Sequence, residues 1–108
     1  MRVLFDQGTP LPLRRSLAEH DVRSTWQQGW SKLANGDLLA AAEAAGFDVF
    51  VTTDQQLRYQ QHLTDRRLAI LVLMAANWPI LQPHAEAIAV AIQNVRPGEY
   101  KEWSPPVS

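Results

Sequence analysis

The sequence predicts an α/β domain of three layers, in which helices cover both faces of a mostly parallel sheet of four to five strands. Apolar runs suited to buried strands, at residues 2–5, 49–51 and 68–73, alternate with segments of helical pattern. This alternation is typical of parallel sheets joined by right-handed crossovers. A chain of 108 residues supports one hydrophobic core, so we predict a single domain over residues 1–103 with a disordered tail over 104–108.

Composition and charge indicate an ordinary globular protein and exclude several kinds of site. Ten Lys and Arg against eleven Asp and Glu give a formal net charge of -1, so no overall basic field attracts nucleic acid or acidic membranes. The chain has no cysteine and therefore forms neither disulfides nor thiolate zinc sites. Its longest apolar run, residues 68–76, is far shorter than the roughly 20 residues that span a bilayer. We expect a cytoplasmic protein.

Two of the predicted strands lead into an aspartate. Residues 2–5 lead into Asp6, and residues 49–53 lead into Asp54. In open α/β sheets, ligands bind at the edge formed by the carboxyl ends of parallel strands, so both side chains are candidate site residues. Asp54 is also a good N-cap for a helix over residues 55–63.

The clearest helical pattern is the alanine-rich stretch over residues 38–46. Asn35 is its expected N-cap, which places Asp37 in the first turn. If the strands that precede Asp6 and Asp54 are neighbours, the first turn of this helix returns to the same sheet edge, because a helix rises about 1.5 Å per residue. We therefore expect all three carboxylates to converge.

Three converging aspartates would repel one another, and a divalent cation would neutralise them. Oxygen-only ligation, without a thiolate or paired imidazoles, suits Mg²⁺ or Mn²⁺. Such a metal ion can activate water for attack on a phosphodiester and stabilise the leaving oxygen. The candidate phosphate contacts are Arg14 and Arg15, near the first turn of a helix that begins near Pro12, and Arg58.

The remaining elements follow from alternation and periodicity. Residues 21–26 and 99–103 alternate polar and apolar side chains, which predicts short strands at the sheet edges, and residues 85–95 carry an apolar helical stripe. Trp26 and Trp30 could stack on nucleobases, but tryptophans of small domains more often fill the core or cover helices. We favour that structural role for both.

Three features carry a family resemblance: Asp6 ends the first strand, Asp37 opens an alanine-rich helix, and residues 52–54 end the following strand. With these features the chain resembles the PIN-domain superfamily of metal-dependent ribonucleases. Residues 3–10 and 47–57 are similar, more closely, to a short bacterial PIN-like family regarded as toxins of toxin–antitoxin pairs. The resemblance extends over nearly the whole chain.

The resemblance implies RNA cleavage dependent on Mg²⁺ or Mn²⁺. Asp6, Asp37 and Asp54 would be both catalytic residues and metal ligands, in a sheet of flavodoxin-like strand order. It also implies a small antitoxin protein as a partner, and a homodimer is a further expectation.

Two departures from the family leave other functions open. The position after Asp6 is usually acidic in the family and is Gln7 here, and a further acidic residue on an intervening helical segment is missing. Without these two acidic residues, the chain would be a PIN-like module that binds a protein partner without catalysis. Trp78 and Trp103 would then be its apolar anchors. A receiver-like signalling domain, phosphorylated at Asp54, is a third hypothesis. Beside the two aspartates, Gln7 and Thr53 are further candidate substrate contacts.

Overall fold

The computed structural model describes residues 1–57 and 66–106 of the chain. Its five strands are β1 (Arg2–Phe5), β2 (Asp21–Ser24), β3 (Val49–Thr52), β4 (Ala69–Leu73) and β5 (Tyr100–Trp103). All neighbouring strands pair in parallel, in the order β2-β1-β3-β4-β5. The predicted α/β class with a parallel sheet is therefore confirmed, and this order is one of the common doubly wound arrangements.

Helical segments connect the strands. They are a 3₁₀ segment at Leu11–Leu17, α1 (Asn35–Ala44), α2 (Trp78–Leu81), a 3₁₀ turn at Gln82–His84 and α3 (Ala85–Gln93). The helix predicted near Pro12 is correct in position but forms a 3₁₀ segment of seven residues, with a proline at its start. The helix predicted over residues 55–63 falls largely on residues 58–65, outside the described part of the chain. Every helix in the described ranges is too short or too polar to cross a membrane.

Side chains that alternate along the strands divide the core into two clusters. One contains Val3 and Val51 and packs against the 3₁₀ segment and α3, where Leu13 and Ile88 are completely buried. The other contains Phe50, from the opposite face of the sheet, and packs against α1. Each buried aliphatic or aromatic side chain stabilises the fold by about 1.5–3 kcal/mol relative to exposure. This division is compatible with the predicted three layers.

The point where β1 meets β3 determines the position of the site. β1 lies between β2 and β3, with Phe5 opposite Val51 in the parallel register. The backbone N–H of Asp6 extends the pairing by donating to Val51 O at 3.1 Å. Successive connections leave β1 and β3 in opposite directions along the sheet, which is the arrangement that opens a crevice at the carboxyl edge.

Backbone and ionic contacts hold the opposite, amino edge of the sheet. Arg2 N donates to Asp48 Oδ2 at 2.6 Å, and the Arg2 guanidinium lies 4.4 Å from the centre of the Phe47 ring. Arg67 N donates to Glu43 Oε1 at 2.5 Å. A cavity of about 420 Å³ opens beside these contacts.

The two outer strands carry exposed charges. β2 exposes Asp21 and Arg23, whose side chains form an ion pair of 2.8 Å, and β5 exposes Lys101 and Glu102. Both segments occupy the sheet edges predicted for them. Alternation of polar and apolar residues is therefore a correct guide to the edges.

Candidate functional site

Asp6 lies half-buried at the carboxyl end of β1, and two threonines hold its carboxylate. Its Oδ1 accepts the backbone N–H of Thr9 at 2.9 Å and the Thr9 hydroxyl at 2.8 Å. Its Oδ2 accepts the hydroxyl of Thr52. Both threonines are buried, so they hold the carboxylate in one orientation.

The hydroxyl of Thr52 connects Asp6 to Asp54. It donates to Asp6 Oδ2 and accepts the backbone N–H of Asp54 at 3.0 Å. The Asp54 carboxylate accepts the N–H of Gln56 on Oδ1 and the side-chain amide of Asn35 on Oδ2, each at 3.0 Å. The bond from Gln56, two residues along the chain, is that of an Asx turn, and the helix for which Asp54 is the predicted N-cap lies largely outside the described residues. One buried hydroxyl thus joins the two aspartates that follow β1 and β3.

The start of α1 contributes the Asn35 amide to the site, whereas Asp37 does not form a metal-binding group with Asp6 and Asp54. Asn35 is the first residue of α1, whereas the predicted N-cap position belongs to Ala34. Asp37 lies in the first turn, as predicted, and its side chain is exposed. Within residues 1–57 and 66–106, no three His, Cys, Asp or Glu side chains are grouped so that they could hold a metal ion. The expected convergence of three carboxylates is absent from this arrangement.

A cleft of about 160 Å³ opens beside Asp6. The turns after β1 and β2 and the start of α1 line it with Asp6, Gln7, Gly8, Thr25, Trp30, Ser31, Leu33, Asn35 and Leu38. Carboxylate, amide and hydroxyl groups form much of this wall and can bind phosphate or sugar oxygens. Gln7, a predicted substrate contact, is exposed within it.

These oxygen ligands fit a hard divalent cation in part. Mg²⁺ is commonly held by one or two carboxylates, with waters and substrate phosphates completing its coordination. Asp6 and Asp54 supply two carboxylates, but each of their four oxygens already accepts a hydrogen bond from the chain. The donor chemistry suits Mg²⁺ or Mn²⁺, whereas a closed three-carboxylate site is not formed.

Gly8 allows the turn after β1 to approach the end of β3. A Cβ atom at this position would lie 2.4 Å from Thr53 Oγ1 and 3.7 Å from Asp6 Oδ1. Thr53, the other predicted substrate contact, therefore lies against Gly8 at the edge that carries Asp6. A side chain at position 8 would require Thr53 to move.

The predicted phosphate contacts are not gathered at the cleft. Arg14 and Arg15 are exposed in the last turn of the short 3₁₀ segment, and neither lines the cleft. Arg58 lies outside the described residues. Lys32, an exposed residue that was not a predicted contact, stands in the chain between Ser31 and Leu33, which line the cleft.

The four tryptophans differ in burial. Trp30 packs edge-on against Phe47, with 5.9 Å between ring centres, and has the structural role predicted for it. Trp78 and Trp103 are partly buried against the core. Trp26 is 75% exposed, so the structural role predicted for it is wrong.

Sequence reasoning also missed the roles of Thr9, Thr52 and Asn35. A threonine at the last position of a buried strand needs an internal partner for its hydroxyl, which is a usable signal for Thr52. Thr9 follows Asp6 by three residues, a spacing at which an aspartate can accept bonds from its own turn. Nothing local indicates the contact of Asn35 with Asp54, because it joins residues 19 positions apart.

The geometry at this edge consists of two joined carboxylates, a small polar cleft and an exposed indole. In comparisons with protein-family models, curated proteins and solved structures, none matches this chain. Support for a function therefore comes from the residues, their arrangement and the resemblance of the sequence motifs.

Proposed function

We propose that the chain is a PIN-like domain that hydrolyses RNA phosphodiesters at the carboxyl edge of its sheet, with Mg²⁺ or Mn²⁺ as cofactor. The observation that carries this proposal is the connection of Asp6 to Asp54 through Thr52. The connection lies where β1 and β3 meet, which is the position at which open α/β sheets bind ligands.

Asp6 and Asp54 are the proposed catalytic and metal-binding carboxylates. Asp37, exposed in the first turn of α1, is the proposed third carboxylate, which a bound cation would recruit. A bound Mg²⁺ or Mn²⁺ lowers the pKa of a coordinated water and stabilises the leaving oxygen. Thr52 orients Asp6, and Asn35 orients Asp54, so both carboxylates are held in place before substrate binds.

Substrate contacts come from the polar wall of the cleft and from nearby cations. The exposed amide of Gln7 can donate to a phosphate oxygen, and Ser31 and Thr53 can bond to ribose hydroxyls or phosphate. Lys32 and the arginines of the 3₁₀ segment can approach more distant phosphates. In this proposal the protein acts as the toxin of a toxin–antitoxin pair, held by a small antitoxin protein.

Cleavage of single-stranded RNA in Mn²⁺ or Mg²⁺ tests this function. Asp6→Asn and Asp54→Asn should each lower the cleavage rate by about 100-fold or more, because each removes a charged metal ligand while conserving shape. Glu19→Gln is a matched control, since it removes one exposed acidic charge between the 3₁₀ segment and β2, at the other edge. Thermal unfolding verifies that all variants are folded. Full activity in both aspartate variants would contradict the proposal.

A catalytically inactive PIN-like module that binds a protein partner is the second candidate. It is favoured by the four engaged carboxylate oxygens and by the absence of a three-acid group within the described ranges. Calorimetry with Mn²⁺ and Mg²⁺ distinguishes the two functions. Metal binding lost in Asp54→Asn supports the nuclease, whereas wild type without metal binding or cleavage supports the binding module.

A further inference from the structure

Trp26 is the most exposed large hydrophobic side chain among the described residues. The other three tryptophans pack against Phe47 or the core, so the fold has room to bury indoles elsewhere. A tryptophan can remove 150–250 Å² from water, and its exposure forgoes that stabilisation. An indole held in solvent is available for contact with a ligand.

The exposure does not come from a loosely bonded segment. On one side of the turn, Thr25 N donates to Phe5 O at 2.8 Å, and Trp30 N closes the turn by donating to Thr25 O at 2.8 Å. Gly29 N donates to Trp26 O at 3.1 Å. The side chain of Gln27 accepts a bond from the backbone N–H of Ser24 at 2.9 Å. Backbone bonds on both sides therefore hold the indole at the protein surface.

The turn also forms part of the cleft beside Asp6. Thr25 and Trp30, which precede Trp26 and close its turn, both line that cleft, as do Ser31 and Leu33. The exposed ammonium of Lys32 lies between these last two residues in the chain. One loop thus presents a flat aromatic ring, a cation and polar cleft walls.

This combination matches the chemistry of a single-stranded nucleic acid better than that of a protein surface. An exposed aromatic ring stacks on any base, and a nearby cation binds the phosphate beside it. Protein interfaces instead use clusters of apolar side chains as anchors. In the chain Trp26 stands between polar residues, Thr25 and Gln27, and the nearest exposed large apolar side chain along the loop is that of Leu33, seven positions on.

We propose that Trp26 is a stacking platform for an unpaired nucleobase of single-stranded RNA, which directs the adjoining sugar and phosphate towards the Asp6 cleft. The proposal rests on the RNA-directed function proposed above and assigns the residue that selects unpaired substrate. Double-stranded RNA, whose bases are stacked on one another, would not be held in this way.

The test is binding of a short fluorescent single-stranded RNA, measured by anisotropy in EDTA so that no metal-dependent cleavage occurs. Trp26→Ala should weaken binding by about tenfold, and Trp26→Phe, which keeps a ring, by no more than about threefold. Val90→Ala removes another exposed apolar side chain, 52% exposed on α3, and should leave binding unchanged. Thermal unfolding should be unaffected in Trp26→Ala, because its side chain is already in water.

A probe with one abasic nucleotide makes the test specific for stacking. At the position that stacks, removal of the base should weaken wild-type binding by about tenfold and should add nothing in Trp26→Ala. Equal RNA affinity of wild type and Trp26→Ala would overturn the platform, and so would a wild type that binds no RNA, which would favour a protein partner for the indole. Tighter binding of the same sequence as DNA would overturn RNA as the ligand.

Separate cleavage assays in Mn²⁺ distinguish failure of this inference from failure of the proposed function. If RNA stacks on Trp26 but is not cleaved, the proposed hydrolysis is rejected and the role of Trp26 as a stacking platform is kept. Cleavage that is unaffected in Trp26→Ala, with unchanged binding, would reject the platform and leave hydrolysis.

Discussion

The two edges of the sheet use the same types of residue differently. At the amino edge, Asp48 and Glu43 accept bonds from the backbone of Arg2 and Arg67, and an open cavity of about 420 Å³ lies beside them. At the carboxyl edge the cleft is smaller, about 160 Å³, but buried hydroxyls orient the carboxylate in its wall. The smaller cleft is therefore the one whose carboxylate is held by buried hydroxyl groups.

The two edges differ in the hydrogen-bond partners of their acidic side chains. Asp48 and Glu43 each bond a backbone N–H of another chain segment, which holds strands and loops together. Asp6 and Asp54 are linked to one another through Thr52, next to the exposed groups of Gln7. Asp6 and Asp54 therefore share one hydroxyl between β1 and β3, whereas the bonds of Asp48 and Glu43 join separate segments of backbone.

Among changes that leave Asp6 and Asp54 in place, removal of the connecting hydroxyl should give the largest difference between the edges. Thr52→Val keeps the shape of the side chain but leaves the N–H of Asp54 and Oδ2 of Asp6 without this partner. We expect RNA cleavage to fall by tenfold or more, on the order of catalytic second-sphere losses, and the free energy of unfolding by about 1–3 kcal/mol. Cleavage assays and urea unfolding measure the two effects.

Asp48→Ala is the matching change at the amino edge. It removes the acceptor of Arg2 N and should lower stability by about 0.5–1.5 kcal/mol while cleavage is unchanged. Loss of cleavage in Asp48→Ala, or normal cleavage in Thr52→Val, would break the distinction between the edges.

A pair of glycines provides a second, smaller test. Gly8→Ala places a Cβ 2.4 Å from Thr53 Oγ1, a side-chain atom that can rotate away, so we expect cleavage to fall a few-fold with little loss of stability. Gly98→Ala, in the turn before β5, combines a φ of +76° with a Cβ 2.6 Å from the Arg66 carbonyl. This substitution should lower the free energy of unfolding by about 1–3 kcal/mol and leave the cleavage rate per folded molecule unchanged. The reverse pattern would contradict the assignment of the site.

The smallest expected effect concerns pH at the amino edge. The hydrogen bond from Arg23, followed by charge interactions with Arg23 and Arg2, lowers the pKa of Asp21 below its ordinary value of 3.8. A depressed folded-state pKa stabilises the fold above the unfolded-state value, and this contribution is lost as the pH falls through the lower one. NMR titration should show the pKa of Asp21 rising in Arg23→Gln. An unchanged pKa would refute the role of this pair.

The fold could be predicted largely because its signals are local. Continuous burial of β3 and β4 follows from their apolar runs, and exposure of β2 follows from alternation. The positions of Asp6 and Asp54 follow in turn, since parallel strands end at one edge. The 3₁₀ form of Leu11–Leu17 was missed because apolar spacing does not distinguish short helix types.

The details of the site could not be predicted, because they depend on the orientation of side chains and on hydrogen-bond partners that are far apart in the sequence. Asn35 has the residue type of an N-cap, yet its amide bonds Asp54, which the chain brings close only through the sheet. Asp37 has the correct position in the sequence, but its side chain remains in solvent. Exposure of Trp26 depends on how a hydrogen-bonded turn directs one ring, which composition does not reveal.

The exposed charges on the two outer strands have a consequence for self-association. An outer strand presents unpaired backbone groups to which another chain can add a strand, and such addition leads to aggregation. β2 and β5 are only four residues long and expose Asp21, Arg23, Lys101 and Glu102. A second copy that paired with either strand would have to accommodate charged side chains beside its own. These edges therefore oppose growth of the sheet into a fibre.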